Sequence, residues 1–200
     1  MAEPGPVTIV HVVDDDHDLG RAVARLLTRL GHRATAFDNP VDMMNHQRDE
    51  QAHCLVTDIM MAELDGFAFA EQVRAQDPAI AIIFMTAWPS TANAVDAVRL
   101  YGGLDYLEKP LDEVRLAAAV AEGVSWSLKR RDALGRIGML TPREREVFAC
   151  LGEGMSNKLV ASTLGLSPKT IEDHRAAIIM KTGTASPAAL IALFRATQGA

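Results

Sequence analysis

The chain sorts its apolar residues into two rhythms. Short blocks at Thr8–Val13, Cys54–Thr57, Ile80–Met85 and Leu104–Leu107 are rich in branched side chains, and blocks of that length and type suit strands covered on both faces. The stretches between them have helical spacing. Over residues 17–30, Leu19, Val23, Leu26, Leu27 and Leu30 form one stripe, Arg21, Arg25 and Arg29 lie on the other side, and Gly31 ends the helix. A second strand falls near Arg33–Phe37, and Asn39-Pro40 reads as an N-cap with proline at the first position of a helix over 41–48. Residues 59–66 read as a loop, 67–76 as a helix stopped by Asp77-Pro78, and 91–101 as a helix capped by Ser90 and ended by Gly102-Gly103. A fifth helix starts near Leu111 and runs to about Ser127. Five strands alternating with five helices predict an α/β fold, a doubly wound parallel sheet with helices on both faces.

Beyond about residue 139 the strand rhythm stops. Four short helices follow, over 142–151, 157–164, 168–182 and 187–197. Thr141-Pro142-Arg143-Glu144 forms a capping box, and Ser167-Pro168 and Ser186-Pro187 each place a capping serine before a first-position proline. The expected organisation is therefore a short tail at 1–6, an α/β domain over 1–122, a segment at 123–138, and an all-α four-helix domain over 139–200. The middle segment reads either as a helical extension or as a flexible basic linker, with Gly135 and Gly138 marking a non-helical end. Helices over 157–164 and 168–182 joined by a short turn have the layout of a DNA-binding helix-turn-helix, and equally that of a small docking or dimerisation domain.

Charge adds a second asymmetry. The net charge of -6 divides into 9 Lys/Arg against 20 Asp/Glu over residues 1–124, 4 against 1 over 125–136, and 7 against 5 over 137–200. An acidic front joined to a mildly basic tail suits a metal-binding module attached to a nucleic-acid-binding one. No run of about 18 apolar residues occurs and the start lacks a basic-then-apolar leader, so the expected compartment is the cytoplasm. Cys54 and Cys150 read as buried small residues.

The candidate chemistry lies where the strands stop. Asp14 and Asp15, Asp58, Thr86 and Lys109 each fall at or just past the end of an apolar block, and in a parallel sheet these ends share one crevice. The run Asp14-Asp15-Asp16-His17-Asp18 taken alone also suits a solvated helix N-terminus. With Asp58 beside it, paired carboxylates suit a hard cation such as Mg2+, which also offsets their mutual repulsion. Asp58 stands alone at its strand end and is the candidate nucleophile toward a phosphoryl donor. An aspartate-based phosphohydrolase needs a second aspartate two residues later as general acid; Met60 stands there and cannot serve. The expected protein is not an enzyme.

The residues around these positions, Val12-Val13-Asp14-Asp15-Asp16, Leu55-Val56-Thr57-Asp58, Phe84-Met85-Thr86-Ala87 and Leu107-Glu108-Lys109-Pro110, resemble the CheY-like, flavodoxin-like receiver domain of two-component response regulators. The string from Leu140-Thr141-Pro142 through Gly154-Met155-Ser156-Asn157-Lys158 to Ser167-Pro168-Lys169-Thr170 and Lys181-Thr182-Gly183 is similar to the LuxR-type output domain. The whole chain resembles the FixJ-like members of the NarL/FixJ group. This resemblance implies that Asp15 binds magnesium directly and Asp14 through water, that Met60 lends its backbone carbonyl, and that Asp58 borders the metal and accepts phosphate. Thr86 and Lys109 would bind phosphoryl oxygens, and Tyr106 would change rotamer with Thr86. In the tail it implies a recognition helix from Pro168, with Lys169, Thr170, Glu172, Asp173 and Arg175 approaching the major groove and Lys158 and Lys181 near phosphates. The implied partners are a sensor histidine kinase, promoter DNA and, on phosphorylation, a second copy of the chain. The other reading is an atypical receiver acting as a phosphorylation-independent interaction protein. Ala62 departs from the family's usual proline, and Leu100–Leu104 is one residue longer than usual.

Overall fold

The computed structural model describes residues 7–62 and 64–198; the tail at 1–6 lies outside them. Five strands, β1 (Ile9–Val13), β2 (Arg33–Phe37), β3 (Cys54–Asp58), β4 (Ala81–Thr86) and β5 (Asp105–Glu108), alternate with α1 (His17–Arg29), α2 (Pro40–Asp49), α3 (Gly66–Gln76), α4 (Thr91–Arg99) and α5 (Glu113–Gly138). Four helices follow: α6 (Pro142–Gly152), α7 (Asn157–Leu164), α8 (Pro168–Thr182) and α9 (Pro187–Thr197). The chain divides into two compact units, the first reaching Leu128 and the second starting at Lys129.

In the first unit all strands are parallel in the order β2-β1-β3-β4-β5. Period-two alternation explains the two covered faces. Val10, Val12, Cys54, Val56, Ala81 and Ile83 point to one side and pack on Val23 and Leu27 of α1 and Leu116 and Val120 of α5. Val13, Leu55, Ile80, Ile82 and Phe84 point to the other and meet Met43, Phe69, Val73 and Ala97 of α2, α3 and α4. The order reverses between β1 and β3, and the register pairs Val13 with both Phe37 and Thr57, Asp58 with Met85, and Thr86 with Glu108. The strand ends are thus level at the topological switch point, where such sheets bind ligands.

Where expected bounds differ, tertiary contacts account for it. Asp58 is the last residue of β3 because it pairs with Met85. α4 stops at Arg99, two residues before the expected 101: Tyr101 turns to stack on Phe67, with ring centroids 4.5 Å apart. Gly102 then takes φ +63, and its carbonyl accepts from Arg74 Nη2 at 2.6 Å. Gly135 and Gly138 do not end the preceding helix; α5 includes both. Glycine costs about 1 kcal/mol within a helix, but Ala133 and Ile137 join the core of the second unit. Arg136 also donates Nε to the Thr182 carbonyl at 2.7 Å. Cys54 is fully buried as expected, whereas Cys150 is only half-buried.

The second unit packs Val147, Phe148 and Leu151 of α6, Val160 of α7, Ile171 and Ile178 of α8, and Leu190 and Leu193 of α9 into one core. Each of these helices starts on a serine or threonine whose hydroxyl accepts a backbone N–H, and α6 carries the complete capping box.

One buried side chain in the sheet has a measurable consequence. Desolvation, reinforced by His46, lowers the pKa of His11 to about 4. Between pH 6.5 and 4 the unfolded chain binds a proton here that the folded chain does not, so acidification destabilises the fold. Urea unfolding in EDTA should lose about 3 kcal/mol between pH 7 and 4 from this residue, and His11→Phe should lose that much less.

Candidate functional site

The acidic cluster sits at the level strand ends. Asp14 is the first residue beyond β1 and fully buried; Asp15 is exposed; Asp58 is 6% exposed. One carboxylate oxygen from each of the three lies within 4.8 Å of the others. Lys109 Nζ reaches between two of them, 2.8 Å from Asp14 Oδ2 and 2.8 Å from Asp58 Oδ2. Burial works against the ammonium, but the two carboxylates outweigh it and hold its pKa above the ordinary lysine value. Burial raises the Asp14 carboxyl, with Lys109 opposing.

Backbone donors fix the carboxylates. Asp16 N donates to Asp14 Oδ1 at 2.9 Å, Met60 N to Asp58 Oδ1 at 3.3 Å, and Ala62 N to Asp15 Oδ2 at 3.2 Å. Ala62 thus participates through its amide, a group that a proline at this position would lack. Asp14 Oδ2 is buried and accepts no directed hydrogen bond besides its ion pair. A buried carboxylate oxygen with spare capacity, beside two further carboxylates, fits a small hard cation. The aspartate run itself divides: Asp16 caps α1, accepting from the Asp18 and Leu19 amides, while Asp14 and Asp15 face the cluster.

Thr86 closes β4 and is 1% exposed; its Oγ1 accepts from Trp88 N at 3.1 Å. Its carbonyl accepts from Lys109 N at 2.8 Å, which ties the fourth and fifth strand ends together. Tyr106 is half-buried, and its hydroxyl accepts from Ser90 N, the α4 cap, at 3.4 Å. Met60 and Trp88, two residues past Asp58 and Thr86, are 59% and 73% exposed. The sequence reading missed Gly66. A Cβ there would lie 2.2 Å from the Asp58 carbonyl oxygen and 2.7 Å from Ile59 Cα, so the first turn of α3 can approach β3 only with glycine. The signal available in sequence was a lone glycine ending the acidic loop.

In the second unit, α7 and α8 are joined by a turn in which Gly165 takes φ +64 and Ser167 caps α8. Lys158, Lys169, Glu172 and Asp173 are exposed, and Lys169 Nζ pairs with Asp173 Oδ1 at 3.0 Å. Thr170 and Arg175 are half-buried. Thr170 Oγ1 lies 2.8 Å from Ser167 Oγ, and Arg175 Nη1 donates to Asn157 Oδ1 at 3.4 Å. Lys181, expected near phosphates, is half-buried and pairs with Glu144. Its ammonium is held by Glu144 at 2.8 and 2.6 Å, because that carboxylate also closes the α6 capping box and needs a counter-charge. Lys181, with the Thr141 amide, holds Glu144 down to about 2.

Residues 10–121 match the response regulator receiver domain family, and residues 138–194 match the family of bacterial regulatory proteins, luxR family. The chain belongs to the two-component response regulators. This response regulator is 34% identical to the transcriptional regulatory protein FixJ of Azorhizobium caulinodans, covering 88% of this chain and 87% of that protein. It is also similar to the solved response regulator StyR, with a TM-score of 0.56, 31% identity and coverage of 95% of this chain and 99% of that one. Full-length FixJ from B. japonicum matches with a TM-score of 0.51 and 30% identity, covering 95% of this chain and 97% of that one. A receiver joined to a LuxR-type DNA-binding domain, with FixJ-like relatives along nearly its whole length, makes this response regulator a two-component transcriptional regulator. Among its described residues no single helix is long and apolar enough to cross a membrane.

Proposed function

We propose that this regulator is switched by phosphorylation of Asp58 by a sensor histidine kinase. The observation that carries this reading is Asp58 at the end of β3, its Oδ2 2.8 Å from Lys109 Nζ and its oxygen within 4.8 Å of those of Asp14 and Asp15. Asp14, Asp15 and Asp58, with the Met60 backbone carbonyl, would hold Mg2+. When bound, the ion neutralises phosphoryl oxygens during transfer. The Asp58 carboxylate attacks the donor's phosphorus, the bond to the donor breaks, and the donor leaves with that bonding pair. Lys109 holds the charge added at Asp58, roughly -1.5 to -2. Thr86 Oγ1 already accepts from Trp88 N, so its hydroxyl proton is free to donate to a phosphoryl oxygen. Movement of Thr86 inward opens room for Tyr106, whose hydroxyl holds the start of α4.

This biases the population toward a state in which a second copy pairs through α4, β5 and α5. On DNA, Lys158 and Lys181 lie near phosphates, Lys169, Thr170 and Arg175 approach the major groove, and Glu172 and Asp173 can accept from cytosine amino groups. So few cations make one copy a weak binder, and pairing on two half-sites supplies the missing affinity. The site of action is the cytoplasm, and the protein acts as a regulator rather than on a substrate of its own.

Incubation with Mg2+ and acetyl phosphate, followed by intact mass measurement, tests the reading. Wild type should gain one phosphoryl group, and Mg2+ removal with EDTA should prevent it. Wild type that gains none contradicts the proposal.

A further inference from the structure

A second group of metal-ligating side chains lies within the sheet unit, apart from the acidic cluster. His11, in the middle of β1, is 0% exposed, and neither of its ring nitrogens has a hydrogen-bond partner. A neutral imidazole has one donor and one acceptor nitrogen, and buried polar groups are ordinarily paired with protein, water or an ion. A mid-strand histidine with both nitrogens idle therefore calls for a partner.

The groups facing it supply one. His46 lies in the last turn of α2, with its imidazole centroid 5.2 Å from that of His11. Glu50 is the cap residue of the same helix, and its Oε2 stands 3.5 Å from His46 Nε2. A nitrogen from each histidine and a Glu50 oxygen all lie within 4.8 Å of one another. His46 Nε2 and Glu50 Oε2 are, like the His11 nitrogens, buried without a hydrogen bond. Gln47 also faces His11 and favours its charged form, an effect smaller than that of burial. Gln47 donates to Asp77 Oδ2 at 3.2 Å and accepts from Ala52 N at 3.1 Å. Arg33 Nη1 sits 2.8 Å from Glu50 Oε1, which occupies that oxygen and leaves Oε2 facing the histidines. The Phe37 ring lies beside both imidazoles, with centroids 5.2 and 5.3 Å away.

We propose that His11, His46 and Glu50 bind a late first-row divalent cation, zinc being the type case, with the fourth position open to water on the half-exposed His46 side. The donor set decides the class. Two imidazoles and one carboxylate are borderline ligands that suit zinc and its neighbours, whereas magnesium takes oxygen. Metal bonds of 2.0–2.1 Å in tetrahedral geometry put neighbouring donors about 3.3 Å apart. The His46–Glu50 separation of 3.5 Å already matches that value, and rotation of the side chains closes the rest. His11 lies three residues before Asp14, roughly 10 Å along an extended strand, so the two sites are separate. The ion fastens the end of α2 to β1 and, through the Arg33–Glu50 pair, to β2.

Cobalt titration of tag-free, EDTA-dialysed full-length protein tests this, with visible absorption as readout. One equivalent should give the intense bands of low-coordinate Co2+, and Zn2+ should abolish them by displacement. His46→Gln and, separately, Glu50→Gln should each weaken binding at least about tenfold, while Asp15→Asn should leave the bands in place. Zn2+ should raise the Tm of wild type and not that of His46→Gln. Absence of the bands in wild type, their persistence at wild-type affinity in both His46→Gln and Glu50→Gln, or their loss in Asp15→Asn would overturn the assignment.

Discussion

Lys109→Ala should lose about 3 kcal/mol of stability at pH 7 in EDTA, because removing one partner of a buried ion pair strands the other. Here two carboxylates are stranded at once. The Lys109 side chain is 13% exposed, and it pairs with Asp14, whose side chain is 0% exposed, and with Asp58, at 8%. Saturating Mg2+ should restore most of the loss by replacing the missing cation, and adding Asp14→Asn should do the same by removing one charge. Acidification should also narrow the gap between Lys109→Ala and wild type. Burial already raises the Asp14 carboxyl, and its protonation as pH falls relieves the repulsion. Trp88 and Trp126, the only tryptophans, both belong to the unit ending at Leu128; urea unfolding followed by their fluorescence therefore reports this unit. A variant as stable as wild type, indifferent to Mg2+, would show that the ammonium does not hold the carboxylates together.

Gly66→Ala should cost about 3 kcal/mol and slow phosphoryl uptake at least about tenfold. The added Cβ would stand 2.2 Å from the Asp58 carbonyl oxygen and 2.7 Å from Ile59 Cα. Both are backbone atoms with no rotamer to yield, so either α3 withdraws or the end of β3 shifts. The Gly66 amide also donates to the Ile59 carbonyl at 2.8 Å, which ties the start of α3 to the peptide after Asp58. A shift there moves the proposed phosphoacceptor relative to Lys109. Tryptophan fluorescence in urea and the time course of mass gain with acetyl phosphate measure the two effects. Unchanged uptake in Gly66→Ala would show that the geometry at Asp58 tolerates displacement.

The contrast between Gly66 and the strand-end residues illustrates what the linear sequence can reveal. Asp14, Asp58, Thr86 and Lys109 follow apolar blocks whose length and branching announce buried parallel strands, and topology then brings the ends of such strands together. Their convergence needs no knowledge of side-chain contacts. The starts of α6 to α9 were legible for a local reason, since each begins on a serine or threonine followed within the first turn by its amide partner. Gly66 was not legible because its requirement comes from Asp58, a residue on another element. The continuation of α5 through Gly135 and Gly138 was hidden likewise: local propensity opposes it, and packing of Ala133 and Ile137 in the second unit's core decides it. The pairing of Lys181 with Glu144 was hidden as well, because the two lie 37 residues apart in the chain. His11 passed as one more residue in an apolar strand, because neither His46 nor Glu50 is near it in sequence.

On the proposed function, a phosphoryl group on Asp58 sets how strongly the helix-turn-helix unit occupies DNA. Sheared genomic DNA from the source organism, captured by wild type and by Asp58→Asn with and without acetyl phosphate and Mg2+, tests it most directly. Sequencing of the captured fragments should show discrete sites whose enrichment rises at least about fivefold with the donor for wild type and does not change for Asp58→Asn. Equal enrichment of wild type with and without the donor, or a donor response in Asp58→Asn matching that of wild type, would contradict it.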